Sequence, residues 1–188
     1  MNPIIQVFQT LGPLSERASK EFEQIITFEN FPKNKELLEI GKRAYSMFLI
    51  KTVLARAYYF HDGKDVTDYF AIDGQFIGAV PSLLTGQPSL KGIQLIEESE
   101  VYFFNVADFE KLCAAHHDLE HVARLISNFA LLQEQERIES LRFYSMKERY
   151  DLLERKYPGI MNRCPLHYIA SYLGTTQVSI SRVRAGIQ

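Results

Sequence analysis

The chain has 188 residues, of which 46% are hydrophobic and 23% charged, the composition of a globular protein with one or two domains. Charged residues interrupt every apolar run before it reaches the roughly 18 residues of a membrane helix, and the N-terminus lacks the basic and apolar regions of a signal peptide. We therefore expect a cytoplasmic protein without a membrane partner. The net charge of −2 is uneven: residues 1–140 carry −7 (13 basic, 20 acidic) and residues 141–188 carry +5 (8 basic, 3 acidic), so we expect a polyanion to bind the C-terminal part.

The N-terminal half is predicted to begin with one helix and to continue as strands. Apolar residues recur every three or four positions over residues 14–26, and Ser15 can cap this helix. After Phe31-Pro32 the period changes to short runs rich in β-branched and aromatic residues. These runs predict strands at Leu37–Ile40, Tyr45–Ile50, Val53–Phe60, Val66–Phe70, Gln75–Ile77, Gly92–Ile96 and Val101–Asn105.

Two Asp-Gly pairs mark turns between the strands. Asp62-Gly63 separates two aromatic runs and suits the positive φ angles of a type I′ hairpin, and Asp73-Gly74 predicts a second such turn before Gln75. Many short antiparallel strands at near-regular spacing predict a roll and not a sheet of βαβ units. The fold class is therefore expected to be α+β, with an N-terminal antiparallel β-roll, that is, a jelly-roll-like double-stranded β-helix.

A long helix is predicted to follow the roll. The helical period returns at Val106, first in a short helix capped by Asn105 and then in one helix from about Asp118 to Arg142. At 1.5 Å per residue this helix would be about 40 Å long, more than the core of one small domain needs, so we expect it to pair with a second copy. The alternative is that its apolar stripe packs on the roll. The residues predicted to form the dimer interface are Val122, Leu125, Ile126, Phe129 and Leu132.

Residues 165–184 have the pattern of a helix-turn-helix. Pro165 suits a first helical turn, and the apolar positions from Leu166 to Leu173 follow the i, i+3, i+4, i+7 spacing of a buried face. Gly174 stands where the chain needs a positive φ between the helices, and Thr175 or Thr176 can cap the second helix. An ordinary helical hairpin is the alternative interpretation.

The second helix of this pair would read DNA. Burial of Ile180 and Val183 leaves a small, polar and basic face that can enter a major groove. On this face Arg182 could bind a guanine edge, Gln177 an adenine edge, and Val178 a thymine methyl, while backbone phosphates are expected at Ser179 and Arg184. The predicted DNA-binding residues are Thr176, Gln177, Val178, Ser179, Ser181, Arg182 and Arg184.

With this order of elements the sequence resembles the Crp/Fnr family of transcription regulators over nearly its whole length. Its most specific stretches are DGQFIG at Asp73–Gly78, LRFYSMKERY at Leu141–Tyr150 and IASYLGTTQVSISRVR at Ile169–Arg184. The resemblance implies a homodimer joined along the long helix and binding a palindromic site. It also implies three parts: a cyclic nucleotide-binding-like sensor domain over residues 1–117, a dimerisation helix over 118–143 and a DNA-binding domain over 144–188.

The resemblance does not extend to the contacts that hold a cyclic nucleotide. Members that bind one have Gly-Glu after the Phe-Ile and, some ten residues on, an Arg followed by Ser or Thr, whereas this chain has Gly78-Ala79 and Pro88-Ser89. Without the arginine the phosphate loses its countercharge, so cyclic AMP is not the expected effector. An unidentified small molecule, apolar or neutral, could bind instead, or the roll could be an empty scaffold. The candidate effector pocket comprises Phe76, Gly78, Ser82, Pro88, Ser89, Glu134 and Gln135.

No catalytic residue is predicted and no cofactor or metal site is assigned. A haem ligand stays open, because five histidines are present, but the sequence marks none of them as axial: His61, His116, His117, His121 and His167. Cys113 and Cys164 lie far apart and outside any CxxC pair, which excludes a disulfide framework and an iron–sulfur cluster. His117 and His121 have a spacing that could share a metal, but the acidic residues beside them favour a solvated helix end. A metal-dependent enzyme on the roll would need several converging histidines, and only His61 lies among the strands.

The expected partners are therefore double-stranded DNA and a second copy of the chain, with RNA polymerase as a further candidate. Only four residues follow Arg184, so the β-hairpin wing that many members of the family carry there is expected to be missing. The alternative function is a ligand-binding or protein-interaction module without sequence-specific DNA binding.

Overall fold

The computed structural model describes residues 2–52 and 54–186, and these form the predicted α+β fold. The helices are α1 (Pro3–Leu11), α2 (Glu16–Ile25), α3 (Val80–Thr85), α4 (Val106–Ala115), α5 (His117–Phe143), α6 (Met146–Lys156), α7 (Ile160–Arg163), α8 (Leu166–Tyr172) and α9 (Gln177–Arg184). The strands are β1 (Thr27–Phe31), β2 (Glu36–Leu38), β3 (Ser46–Thr52), β4 (Ala55–His61), β5 (Lys64–Ala71), β6 (Gln75–Ile77), β7 (Gly92–Leu95) and β8 (Ser99–Asn105). No helix within the described ranges is both long and apolar enough to cross a bilayer.

The strands form two antiparallel sheets that make up the predicted β-roll. The first sheet has the order β1-β8-β3-β6 and the second has the order β2-β7-β4-β5. Each sheet contains strands from both ends of the roll sequence, so the chain crosses between the sheets repeatedly. Such crossing is the pattern of a double-stranded β-helix.

Most predicted elements are confirmed within a few residues. The long helix α5 begins one residue before the predicted Asp118 and ends one residue after the predicted Arg142. The turn at Asp62-Gly63 has φ angles of +49° and +72°, as a type I′ hairpin requires. Val53, predicted at the start of a strand, lies outside the described residues, as do the last two residues of the predicted DNA-binding domain.

The second predicted hairpin is wrong. Gly74 does take a positive φ of +80°, but β6, which follows it, pairs with β3 of the first sheet and not with β5 of the second. The turn therefore carries the chain from one sheet to the other. The sequence interpretation also missed β1 and the helices α1, α3, α6 and α7, although the capping box of Ser145 and Glu148 at the start of α6 was a readable signal.

Side chains from both sheets fill the interior of the roll. Alternation along the central strands turns Phe48 and Ile50 of β3 inward, together with Ala55 and Ala57 of β4. The small residues of β4 let the two sheets approach closely at this point. A continuous apolar interior of this kind is the main source of stability for a domain of this size.

The outer faces of the two sheets are covered by different parts of the chain. Helices α1, α2, α4 and the first turns of α5 pack on the first sheet in a cluster that contains Phe8, Phe22 and Phe104. Helices α6 to α9 pack on the second sheet in a cluster that contains Phe70 and Ile169. Each face of the roll is thus joined to one end of the long helix, which runs from the N-terminal helices to the C-terminal ones.

Candidate nucleic-acid interface and sensor domain

Helices α8 and α9 are joined by the tight turn of a helix-turn-helix. Gly174 has a φ of +64°, a conformation that a residue with a Cβ rarely adopts. The N–H groups of Gly174 and Thr175 donate to the carbonyls of Ser171 and Ala170 at 3.2 and 2.9 Å, which closes the end of α8. The Thr176 hydroxyl then accepts from the Ser179 N–H at 3.2 Å and caps α9.

One face of α9 is buried and the other is free. Ile180 is fully buried against α6 and α8, whereas Gln177, Val178, Ser181 and Arg182 are exposed, Val178 by 61%. Exposure of an apolar valine side chain to water is unfavourable, and packing inside the monomer does not compensate for it. We call these four exposed residues the reader face.

The remaining residues predicted to contact DNA lie at the two ends of α9. Thr176 caps its first turn, and Arg184 is exposed in its last turn. Ser179 is half-buried, and its hydroxyl lies 3.0 Å from that of Thr176, so part of its hydrogen-bonding capacity serves the cap. Ser181 likewise donates to the Gln177 carbonyl at 3.0 Å.

A buried arginine of the roll contacts the first helix of this motif. Arg56 of β4 is 1% exposed, and its guanidinium donates two hydrogen bonds to Asp65 at 2.5 and 2.7 Å. The same group lies between two rings, 4.3 Å from the centroid of Tyr58 and 3.5 Å from that of Tyr168 in α8. A desolvated cation–π contact contributes about 2 kcal/mol. The ion pair joins Arg56 to Asp65 of β5, whose side chain is 30% exposed, so it lies within the roll and does not reach α8. Stacking on Tyr168 therefore stabilises this contact more than the ion pair does.

A second polar contact joins the roll to the long helix. Asp68 of β5 accepts from Arg137 of α5 at 2.8 Å and from Lys91. Burial disfavours its charged form, but the hydrogen bonds from the two cations outweigh burial, and the pKa of Asp68 lies below its ordinary value. Near neutral pH this carboxylate is ionised and links α5 to the roll.

The apolar side of the same interface centres on Phe70. Its ring lies 5.8 Å from that of Tyr157, the residue that follows α6, and 5.3 Å from that of Tyr172 in α8. The Thr67 N–H donates to the Ser171 hydroxyl at 3.0 Å beside it. Sequence reasoning did not predict this interface. The one signal for the interface in the sequence was Arg56, a charged residue inside the apolar run of β4.

The residues predicted to line the effector pocket do not all meet. Phe76 lies on the outer face of the first sheet, where its ring is 6.0 Å from that of Phe8 in α1, apart from the other residues of the predicted pocket. Gly78, Ser82 and Ser89 are buried, Pro88 is exposed in the loop between Ser82 and Ser89, and Glu134 and Gln135 are exposed on α5.

The polar groups of this pocket bond to the chain itself. The Tyr69 hydroxyl accepts from the Gly78 N–H at 3.1 Å and donates to the Gly78 carbonyl at 2.7 Å. Burial raises the pKa of Tyr69 to about 12, so the hydroxyl remains a donor at physiological pH. The Ser82 hydroxyl accepts from the Ala44 N–H at 3.0 Å and donates to the Gln87 carbonyl at 2.5 Å. The Ser89 hydroxyl bonds to the backbone of Lys91. A ligand at this point would have to replace these bonds.

The residues predicted to form the dimer interface are buried at the N-terminal end of the stripe and exposed further along α5. Val122 is fully buried against the N-terminal helices, so its side chain leaves no surface in the monomer for a partner. Leu125 and Ile126 are half-buried. Phe129 and Leu132 are 59% and 62% exposed and line an open groove of about 500 Å³ between α5 and α6.

Neither the cysteines nor the histidines form a reactive site in the described ranges. Cys113 and Cys164 are free, and burial raises the pKa values of their thiols to about 11 and about 12. Such thiols are protonated and poorly nucleophilic at neutral pH. Within the described ranges, no group of three or more His, Cys, Asp or Glu side chains could hold a metal ion.

Comparison with known proteins connects this geometry to a family. Residues 28–116 match the model of the cyclic nucleotide-binding domain. No curated protein sequence matches the chain.

Solved structures of transcription regulators have the same fold. FixK2 from Bradyrhizobium japonicum is similar with a TM-score of 0.73 and 17% identity, covering 86% of this chain and 84% of that one. The catabolite activator protein of Thermus thermophilus has a TM-score of 0.59 and 18% identity, covering 98% and 86%. A protein from Eubacterium rectale, described as a transcriptional regulator of the Crp/Fnr family, has a TM-score of 0.69 and 15% identity, covering 92% and 83%. The resemblance to the Crp/Fnr family is thus confirmed at the level of fold, and the match to the cyclic nucleotide-binding domain covers residues 28–116.

Proposed function

We propose that the chain is a DNA-binding transcription regulator that binds a palindromic operator as a homodimer. The observation that carries the proposal is the reader face of α9, where a valine, a glutamine, a serine and an arginine are exposed together. These are the residue types that read base edges in a major groove. We propose no catalytic activity.

The charge of the C-terminal part supports a polyanionic partner. Residues 141–188 carry eight basic and three acidic side chains. Two of the three acids are engaged within α6, since Glu148 accepts from Ser145 at the helix start and Asp151 pairs with Lys147. Arg182 and Arg184 of α9 have no acidic partner in the described part of the chain, so both are free to bind phosphates or bases.

The exposed stripe of α5 supports pairing with a second copy. Phe129 and Leu132 expose most of their surface beside the groove that α6 borders. An apolar stripe at this spacing on a long helix is typical of a paired helix. Two copies joined there would present two reader faces related by a two-fold axis, and such an arrangement matches a palindromic site.

We also propose that the regulator is controlled by an effector other than a cyclic nucleotide. Pro88 stands where a phosphate-binding arginine would be expected from the family resemblance, and the buried Ser82 and Ser89 hydroxyls already bond to the chain itself. A small neutral molecule that replaces the Tyr69 hydroxyl at Gly78 fits these groups better than an anion does. The proposal covers double-stranded DNA and a second copy as partners, and RNA polymerase as a third.

We expect Arg182→Ala to weaken binding to the selected DNA site by about 10- to 100-fold, since one bidentate base contact contributes about 1–3 kcal/mol. Selection of the wild-type protein against a random duplex pool supplies the site, and fluorescence anisotropy measures the affinities. Arg43→Ala is the matched control, because it removes an equal charge from an exposed loop of the roll. Equal affinities of wild type and Arg182→Ala, or recovery of no common sequence even with cell extract added, would favour the alternative of an interaction module.

We expect the wild-type protein to sediment as a dimer, at twice its 21.7 kDa mass, and Leu132→Glu to sediment as a monomer. A glutamate would place a desolvated charge in the apolar interface. The control is Leu131→Glu, which is 60% exposed but lies about 200° from Phe129 around the helix. A monomeric wild type, or equal dissociation by both variants, would argue against pairing along this face.

We expect cyclic AMP at millimolar concentration to leave the melting temperature of the protein unchanged. A ligand that binds only the folded state at 100 times its Kd would stabilise it by about 2.7 kcal/mol, which thermal unfolding detects easily. AMP serves as the control for non-specific nucleotide effects. A saturable rise with cyclic AMP but not with AMP would contradict the assignment of this roll as one that does not bind cyclic nucleotides.

A further inference from the structure

We infer that a small inorganic anion of about the size of chloride binds at the junction of α5, α6 and α8. A cavity of about 10 Å³ lies between these helices. Its polar lining consists of Arg137 and Ser140 of α5, Arg149 of α6 and Tyr172 of α8, and four leucines complete the wall. This inference stands apart from the proposed DNA-binding function, because it concerns a site within the monomer.

The two arginines of the lining are incompletely satisfied. Arg149 donates from Nη1 to the Leu173 carbonyl at 2.6 Å and has no carboxylate partner within the described ranges. Arg137 donates from Nη1 to Asp68. The Nε atoms of both side chains are buried and have no hydrogen-bond partner in the described part of the chain. Buried charged donors without an acceptor are unfavourable, so two of them around one cavity indicate a missing acceptor.

The local charge indicates that this acceptor is an anion. Two arginines line the cavity, and its lining holds no carboxylate. Asp68 pairs with Arg137 and with Lys91 outside the cavity, whereas Arg149 has no ion pair in the described part of the chain, so the lining carries an excess of positive charge. Glu134 also favours the charged form of Arg137, but it is exposed on α5 and screened by solvent. A water molecule could accept hydrogen bonds in the cavity, but it would leave this excess charge uncompensated.

The size of the cavity restricts the anion. About 10 Å³ is the room that one water-sized sphere needs, so a single atom fits after a small outward movement of the lining. A phosphate or a nucleotide, with several oxygens around phosphorus, does not fit between the four leucines. The structure therefore favours a monatomic anion, and chloride is the probe of choice.

An anion at this place would connect three helices. It would bridge the end of the long helix to α6 and to the first helix of the helix-turn-helix, where the Leu173 carbonyl and Gly174 begin the turn. The angle between α5 and α8 would then depend on occupancy of the site. Removal of one guanidinium should weaken the site without changing the fold of the roll.

The test is ³⁵Cl NMR of the full chain at constant ionic strength, with gluconate replacing chloride. We expect the wild-type protein to broaden the chloride line saturably, and Arg149→Gln to bind chloride at least about tenfold more weakly, since one hydrogen bond to a charged group is lost. Arg142→Gln is the control, because it removes an exposed arginine of the same junction that does not line the cavity. Circular dichroism verifies that both variants are folded.

A second measurement does not depend on any variant. Crystals of the wild-type protein soaked in sodium bromide should give an anomalous difference peak between the guanidinium groups of Arg137 and Arg149. Equal line broadening by wild type and Arg149→Gln, or a cavity that holds only water in the bromide-soaked crystal, would overturn the inference.

Discussion

The contact on which the arrangement of the whole chain depends is the apolar core that the roll shares with the C-terminal helices. Leu54, Phe70 and Ile96 of the roll are at most 2% exposed, and all three are buried with residues of α6 to α9. Burial of each such side chain stabilises the folded protein by about 1.5–3 kcal/mol. The stacking of Arg56 on Tyr168 adds a directional contact at the edge of this core. Because apolar burial is non-directional, the polar edge is what selects one orientation of the helices on the sheet.

This shared core gives a physical route between the roll and the C-terminal helices. Strand β5 carries Tyr69 toward Gly78 inside the roll and Asp68 and Phe70 toward α5, α6 and α8 outside it. A molecule that displaced the Tyr69 hydroxyl would act on the strand whose other face holds the long helix and the reader helices. Packed interfaces switch between discrete arrangements more readily than they deform, so a small shift in β5 could change the population of reader orientations.

Much of the fold could be predicted from the sequence, because it depends on local signals. The hairpin at Asp62-Gly63, the cap at Asn105 and the turn at Gly174 follow from residues that the backbone conformation requires. The partners across the fold could not be predicted in this way. Phe76 was assigned to the pocket from the family resemblance of its motif, which does not tell that its ring packs against Phe8 of α1. Tyr69 of one sheet contacts Gly78, which follows a strand of the other sheet. Arg56 contacts Tyr168, which is far from it in sequence. No spacing rule predicts either contact.

The measurement that tests the shared core most directly is differential scanning calorimetry of the full chain, at a protein concentration at which its association state is fixed. If the roll and the C-terminal helices are one cooperative unit, the protein unfolds in a single transition whose calorimetric and van't Hoff enthalpies agree. Two resolved transitions, with the C-terminal helices melting separately from the roll, would contradict the account, since Phe70 and Arg56 would then hold the reader helices too weakly to couple them to the sensor.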